Sequence, residues 1–217
     1  VFAYFSERTN SFEVIVVDDG STDNTISVLN LLKAKYPNLR VLGYPHNEGK
    51  GYAVKFGVIN SLGSLVLMLD ADGATPVEEY SKLENMLKLG ASIVIASRAI
   101  PTSETILETS LHRKVLGRVF NLIVNLLCVP GVSDTQCGFK LFTREAADIV
   151  FSLQTIYGFA FDCELLFIAR RKGIPLSEVS VNWVNISGSK VNMIRDPLVM
   201  FFEIILIRYR AIMGWYD

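Results

Sequence analysis

The amino-acid sequence predicts an α/β fold in which a mostly parallel central sheet is flanked by helices. Three observations carry that expectation. The apolar runs at 65–69 (LVLML) and 92–97 (SIVIAS) read as strands buried on both faces. Segments of helical spacing alternate with such strands along the first hundred residues. Two strands also end in carboxylates, Asp18 and Asp19 in VIVVDDGSTDNT and Asp70 and Asp72 in LVLMLDADGAT, at the carboxyl edge where open sheets of this class bind ligands.

In chain order, residues 1–8 (VFAYFSER) have the spacing of a helix end, and 12–17 form a strand. A Ser, Thr and Asp-rich turn at 20–25 offers Asp23 as the N-cap of a helix that runs to Tyr36-Pro37. A strand at 39–42 leads through the loop 45–51 (PHNEGKG) into a helix at 52–61. After the central strand, Gly73 lets the backbone turn, Pro76 suits a first helical turn, and 78–89 carries the stripe Leu83, Met86, Leu87. The strand at 92–97 ends at Arg98. Beyond residue 100 the pattern predicts a polar loop, the basic cluster His112-Arg113-Lys114, and an apolar helix at 115–129. A loop at 131–140 (GVSDTQCGFK) then enters a strand, followed by a helix at 161–172, a strand at 177–184 and a final apolar helix at 197–212.

A chain of 217 residues suits one domain with a sizeable core. The net charge of -1 gives no sign of a nucleic-acid partner, which usually needs a basic surface. Mean hydropathy of +0.34 is high, which predicts apolar surface beyond what the core requires. No stretch approaches the roughly 18 apolar residues of a membrane span. The chain opens at Val1 with no initiator Met and no signal-type segment, and the expectation is that something precedes it. Cys128, Cys137 and Cys163 match no metal or redox spacing and read as reduced thiols facing a cytosolic compartment. There the sequon at Asn185 stays unused.

Along an extended chain Asp70 and Asp72 point to one side with only Ala71 between them. Both can then reach one hard divalent cation, Mg2+ or Mn2+, or the hydroxyls of a sugar. A solvated turn is the alternative for a lone D-x-D. A second acidic tip at Asp18 and Asp19, suited to a uracil ring N–H or ribose hydroxyls, favours a nucleotide-sugar site. Lys50, flanked by flexible glycines, suits a phosphate-binding nest, for which Gly-Lys-Gly alone is a weak signal. Asp162 and Glu164 stand at a helix start, where capping is the default. Basic residues at the ends of the two apolar helices (Arg113, Lys114, Arg208, Arg210) fit seating against lipid headgroups, with ordinary core helices as the competing account.

In order, VIVVDDGSTDNT, HNEGKGYAVKFG, LMLDADGAT, Ser97-Arg98, the Arg113 helix, DTQCGFKLFTR, FDCELLF and ISGSKVNM resemble the inverting family-two glycosyltransferases with the GT-A fold, in particular their branch that glucosylates dolichyl phosphate. The resemblance implies a single domain, 1–217, with a nucleotide-binding half (1–100) and an acceptor and membrane-facing half (101–217). It implies glucose transfer from UDP-glucose to dolichyl phosphate with inversion, on the cytosolic face of the endoplasmic reticulum membrane, for lipid-linked oligosaccharide assembly and protein N-glycosylation. Asp72 then binds the metal, Asp70 orients the sugar or ribose, and Asp18, Asp19, Lys50 and Ala71 line the nucleotide sugar. Arg98, Arg113 and Lys140 become phosphate clamps, Gln136 a sugar contact, Asp134 an acceptor-side residue, and 187–190 a mobile loop over the donor. The acceptor phosphate, with a second pKa of about 6, needs no strong general base.

The chain departs from the pattern at its start, where relatives place an anchoring helix and a strand ending in a Pro-Ala-Tyr-Asn-Glu type motif. An open sheet edge is therefore expected. Ala74, where some relatives have a polar ligand, leaves room for water in the metal's shell. Two alternatives accompany the glucosyl reading: transfer of mannose or N-acetylglucosamine, and a catalytically silent chain that binds a full-length enzyme.

Overall fold

A computed structural model describes residues 1–9, 11–100, 124–125, 127–184 and 195–217. Helix α1 (Phe2–Ser6) precedes β1 (Val14–Asp19), α2 (Thr25–Lys35), β2 (Leu39–Tyr44), α3 (Lys50–Ile59) and β3 (Leu65–Leu69). A 3-10 turn, Val77–Glu79, runs into α4 (Tyr80–Lys88), and β4 (Ile93–Ser97) follows. The second half contributes β5 (Phe139–Thr143), α5 (Arg144–Leu153), α6 (Phe161–Arg171), β6 (Leu176–Ser180) and α7 (Arg195–Ile212).

The α/β class holds, but the strands form two ladders and the larger one is mixed. β1 and β2 pair in parallel, while the other four lie in the order β3-β5-β4-β6. β4 and β6 are parallel, and β5 runs antiparallel to both its neighbours. The reason is where β5 starts. Leu69, the last residue of β3, pairs with Phe139, the first of β5, so the chain re-enters the sheet at the carboxyl edge and has to run backwards. β1, β2, β3 and β6 each keep one edge with no strand partner among the described residues.

Alternation sorts the core. Val66, Met68, Ile93, Ile95 and Phe142 pack with Val150, Phe151, Leu165, Ile168 and Ile204 of α5, α6 and α7. Val94, Ala96, Phe139 and Leu141 face the other way, onto Tyr80 and Leu83, with Tyr4 and Phe5 of α1 against them. Each fully buried Val, Leu, Ile, Phe or Met among these contributes about 1.5–3 kcal/mol. Helix α5 was not anticipated, although Ala146, Ala147, Val150 and Phe151 form its buried stripe and the Thr143 hydroxyl caps it by accepting from Ala146 N.

The final helix resolves into two faces. Met200, Ile204, Ile207 and Ala211 are buried, whereas Leu198, Phe202, Tyr209 and Ile212 are exposed. Among the described residues no helix is long and apolar enough to cross a membrane. Arg210 donates to Thr155 Oγ1 and lies over the Trp215 ring, and Arg208 lies over Phe167, so both arginines are engaged by the protein. The three cysteines are buried and unbonded. The helix expected at 115–129, apart from its last residues, lies outside the described residues, as do Arg113, the sequon and the loop 187–190.

Candidate functional site

β1 delivers its two carboxylates to different tasks. Asp19 accepts from Asn47 Nδ2 (2.8 Å), Glu48 N (2.8 Å) and Gly49 N (3.1 Å), so it shapes the loop ahead of α3. Asp18 is buried; its Oδ2 accepts from Ser21 N at 3.2 Å, and its Oδ1 has no hydrogen-bond partner among the described residues. Of the pair, Asp18 therefore offers the free acceptor. Beside them the Tyr44 hydroxyl is pushed up in pKa by burial and by Asp19. Tyr44 also packs edge-on against Tyr52 and Phe56.

Lys50 opens α3, and its ammonium stands 2.7 Å from Asp70 at the end of β3. Burial works against its charge, but Asp162, Asp70 and Asp72 together hold its pKa above the usual value. The two acidic tips are thus linked through consecutive residues at the start of α3, Asp19 on the Gly49 amide and Asp70 on the Lys50 ammonium. The glycines around Lys50 serve packing. A Cβ on Gly49 would come within 2.6 Å of Tyr157 O, and one on Gly51 within 2.7 Å of Phe161 Cβ.

Asp70 lies on Gly138. The Asp70 amide donates to Gly138 O at 3.0 Å, and a Cβ there would sit 2.0 Å from Asp70 Oδ2. Asp72 is exposed and uses Oδ1 to accept from Ala74 N at 3.0 Å, with Ala71 exposed beside it.

Three expectations change. Lys140 is fully buried, donating to Cys137 O and paired with Asp162, so it cannot serve as a phosphate clamp open to solvent. Its alternation in β5 turns it toward α6, where burial raises the Asp162 pKa despite Lys140 and Lys50. Asp162 and Glu164 do more than cap: both are buried, and Glu164 accepts from Thr155 N, Ile156 N and the Tyr216 hydroxyl. Arg98 gives its backbone amide, Nε and Nη2 to Asp134 and lies over Trp183. Burial opposes the Asp134 charge, but Arg98 overrides it and holds the carboxyl below its usual value. Gln136 is partly buried with Nε2 3.5 Å from Met200 Sδ, at the base of α7. Gly138 as the partner of Asp70 and the Lys140–Asp162 pair were missed by sequence reasoning. A lone lysine inside the doubly buried strand FKLFT was the available signal that a buried carboxylate faces it.

An α/β fold in which one acidic strand tip bonds the Gly49 amide and another pairs with the adjacent Lys50 is compatible with a nucleotide-sugar transferase. The glycosyl transferase family 2 profile matches residues 5–151, and the chain belongs to that family. It is 41% identical over 211 residues to the dolichyl-phosphate beta-glucosyltransferase of Dictyostelium discoideum, covering 94% of this chain and 64% of that protein. With the Homo sapiens dolichyl-phosphate beta-glucosyltransferase the identity is 43% over 212 residues, 94% of this chain and 65% of the relative. The chain thus spans less than two thirds of the length of these relatives. Among solved structures, glucosyl-3-phosphoglycerate synthase from Mycobacterium tuberculosis in complex with Mn2+, UDP-glucose and phosphoglyceric acid shares the fold, with a TM-score of 0.60 at 20% identity over 96% of this chain and 72% of that one.

Proposed function

We propose that the chain is the donor-binding and catalytic part of an enzyme that transfers glucose from UDP-glucose to dolichyl phosphate with inversion. The link of Asp19 to Gly49 and of Asp70 to the adjacent Lys50 supports this reading, and similarity to the two glucosyltransferases supports the substrate pair. A phosphate oxygen of the acceptor attacks the anomeric carbon as the bond to the UDP β-phosphate breaks on the opposite face. The product is dolichyl β-D-glucosyl phosphate, and no covalent sugar–enzyme bond forms.

The residues present fit a divalent cation. Asp72 keeps one carboxylate oxygen clear of its turn, and no group of three His, Cys, Asp or Glu residues among the described residues could hold a metal alone. One carboxylate completed by substrate phosphates and water is how Mg2+ and Mn2+ are usually held. When bound, the cation supplies a Lewis acid to the departing diphosphate. Lys50 exchanges Asp70 for donor phosphate, which frees Asp70 to accept a sugar or ribose hydroxyl. Asp18 Oδ1 takes a base or ribose donor.

The exposed apolar face of α7 (Leu198, Phe202, Tyr209, Ile212) rests on the membrane surface that holds the acceptor's lipid. The proposed location is the cytosolic face of the endoplasmic reticulum membrane, a reading with which the three buried, unbonded thiols agree.

Calorimetry of UDP with Mn2+, followed by competition among UDP-glucose, UDP-N-acetylglucosamine and GDP-mannose, tests the proposal. Saturable binding lost in Asp72→Ala and strongest for UDP-glucose supports it. A folded sample that gives no heat favours the silent binding partner.

A further inference from the structure

Resting on the reading of Lys50 as a donor-phosphate ligand, we propose that Glu164 is a positioning residue for that lysine, acting through residues 154–157. Glu164 is fully buried on α6, yet its carboxylate accepts four hydrogen bonds. They come from Thr155 N (2.9 Å), Thr155 Oγ1 (2.5 Å), Ile156 N (2.7 Å) and the Tyr216 hydroxyl (2.6 Å). Three of the four come from a single short segment, which one carboxylate therefore shapes.

That segment is bolted to the turn of α3 that carries Lys50. Gly51 N donates to Tyr157 O at 2.8 Å. Gln154 Nε2 donates to Gly51 O at 2.9 Å and to Ile156 O at 2.8 Å, and Lys55 Nζ donates to Gln154 O at 2.7 Å. The approach is close enough that side chains are excluded: a Cβ on Gly51 would lie 2.8 Å from Ile156 O and 2.9 Å from Tyr157 O. Lys50 stands between two glycines that both touch this segment, so its position against Asp70 follows the segment's position. The Tyr216 hydroxyl and Arg210, which reaches Thr155 Oγ1 at 2.6 Å, tie the same carboxylate cluster to the end of α7.

Glu164→Gln tests this. It turns one acceptor into a donor facing groups that already donate. UDP affinity in Mn2+, measured by calorimetry on protein shown folded by circular dichroism, is expected to fall about tenfold. Ile168→Val, which trims the same helix on its core side, lowers thermal stability and leaves that affinity unchanged. In the Lys50→Ala background Glu164→Gln adds no further loss, since both act through one group. Should Glu164→Gln not fold, Gln154→Leu breaks the same link at the Gly51 carbonyl while keeping the volume. Lys50→Ala that weakens UDP binding, beside a folded Glu164→Gln or Gln154→Leu with unchanged affinity, overturns the inference alone. Lys50→Ala that leaves affinity unchanged overturns the reading of Lys50, and the inference with it.

Discussion

A methyl group on Gly138 separates what holds the fold from what makes the site. The Gly138 carbonyl accepts from the Asp70 amide at 3.0 Å, and this backbone contact survives a Gly138→Ala change. The added Cβ, however, would stand 2.0 Å from Asp70 Oδ2, 2.2 Å from its Cγ and 2.4 Å from Oδ1. Ordinary contact begins at 3.4 Å, so the carboxylate must retreat by more than an ångström. It can do so cheaply. Gly138 does not have a positive φ, and the atoms in the way end a side chain that is 37% exposed. Stability should therefore change by less than about 1 kcal/mol. The Lys50–Asp70 pair does not survive the move, and a displacement of about 1 Å in a positioned group costs on the order of 100-fold in rate. Thermal unfolding and glucose transfer from UDP-glucose, measured on the same preparation, read the two effects separately. Near-normal transfer by a folded Gly138→Ala protein would show that the Asp70 carboxylate is not used where the structure puts it.

Other perturbations reach different parts of the molecule. Lys140→Met leaves Asp162 buried without its partner and should cost about 3–5 kcal/mol by urea denaturation, much of it regained in Lys140→Met/Asp162→Asn; a single variant as stable as the parent contradicts a desolvated pair. Asp134 has its folded pKa lowered, so its contribution is complete above the unfolded value near 3.9 and disappears as pH falls through the folded one. The stability gap between the parent and Asp134→Asn should accordingly be wide at neutral pH and narrow in acid, whereas a gap that ignores pH would discount the Arg98 pairing. Phe202, 66% exposed on α7, becomes charged in Phe202→Asp, and co-sedimentation with anionic vesicles should drop while UDP binding stays intact.

Much of this organisation was visible in the residues themselves. Short apolar runs locate β1, β3 and β4, although only β4 is buried on both faces as its run implies, while β1 is mostly half-buried and Leu65 of β3 is exposed. The acidic tips were visible because nothing about a strand end demands two carboxylates. Direction was not: FKLFT carries no mark of whether it runs with or against its neighbours, and only the pairing of Leu69 with Phe139 shows it. The division of labour between Asp18 and Asp19 was equally hidden, since it depends on which one meets the amides of Glu48 and Gly49. Lys140 and Glu164 look like surface residues by type, and their burial becomes apparent only once alternation and helix phase turn them inward.

Arg98 and Asp134 have a consequence for chain entropy as well as for chemistry. Their ion pair joins the end of β4 to the loop that precedes β5. Closing a loop of chain grows dearer only slowly with length, by about 0.6 kcal/mol for each doubling. By joining residues 36 apart in sequence, the three hydrogen bonds from Arg98 to Asp134 offset part of that closure cost where the chain leaves β4.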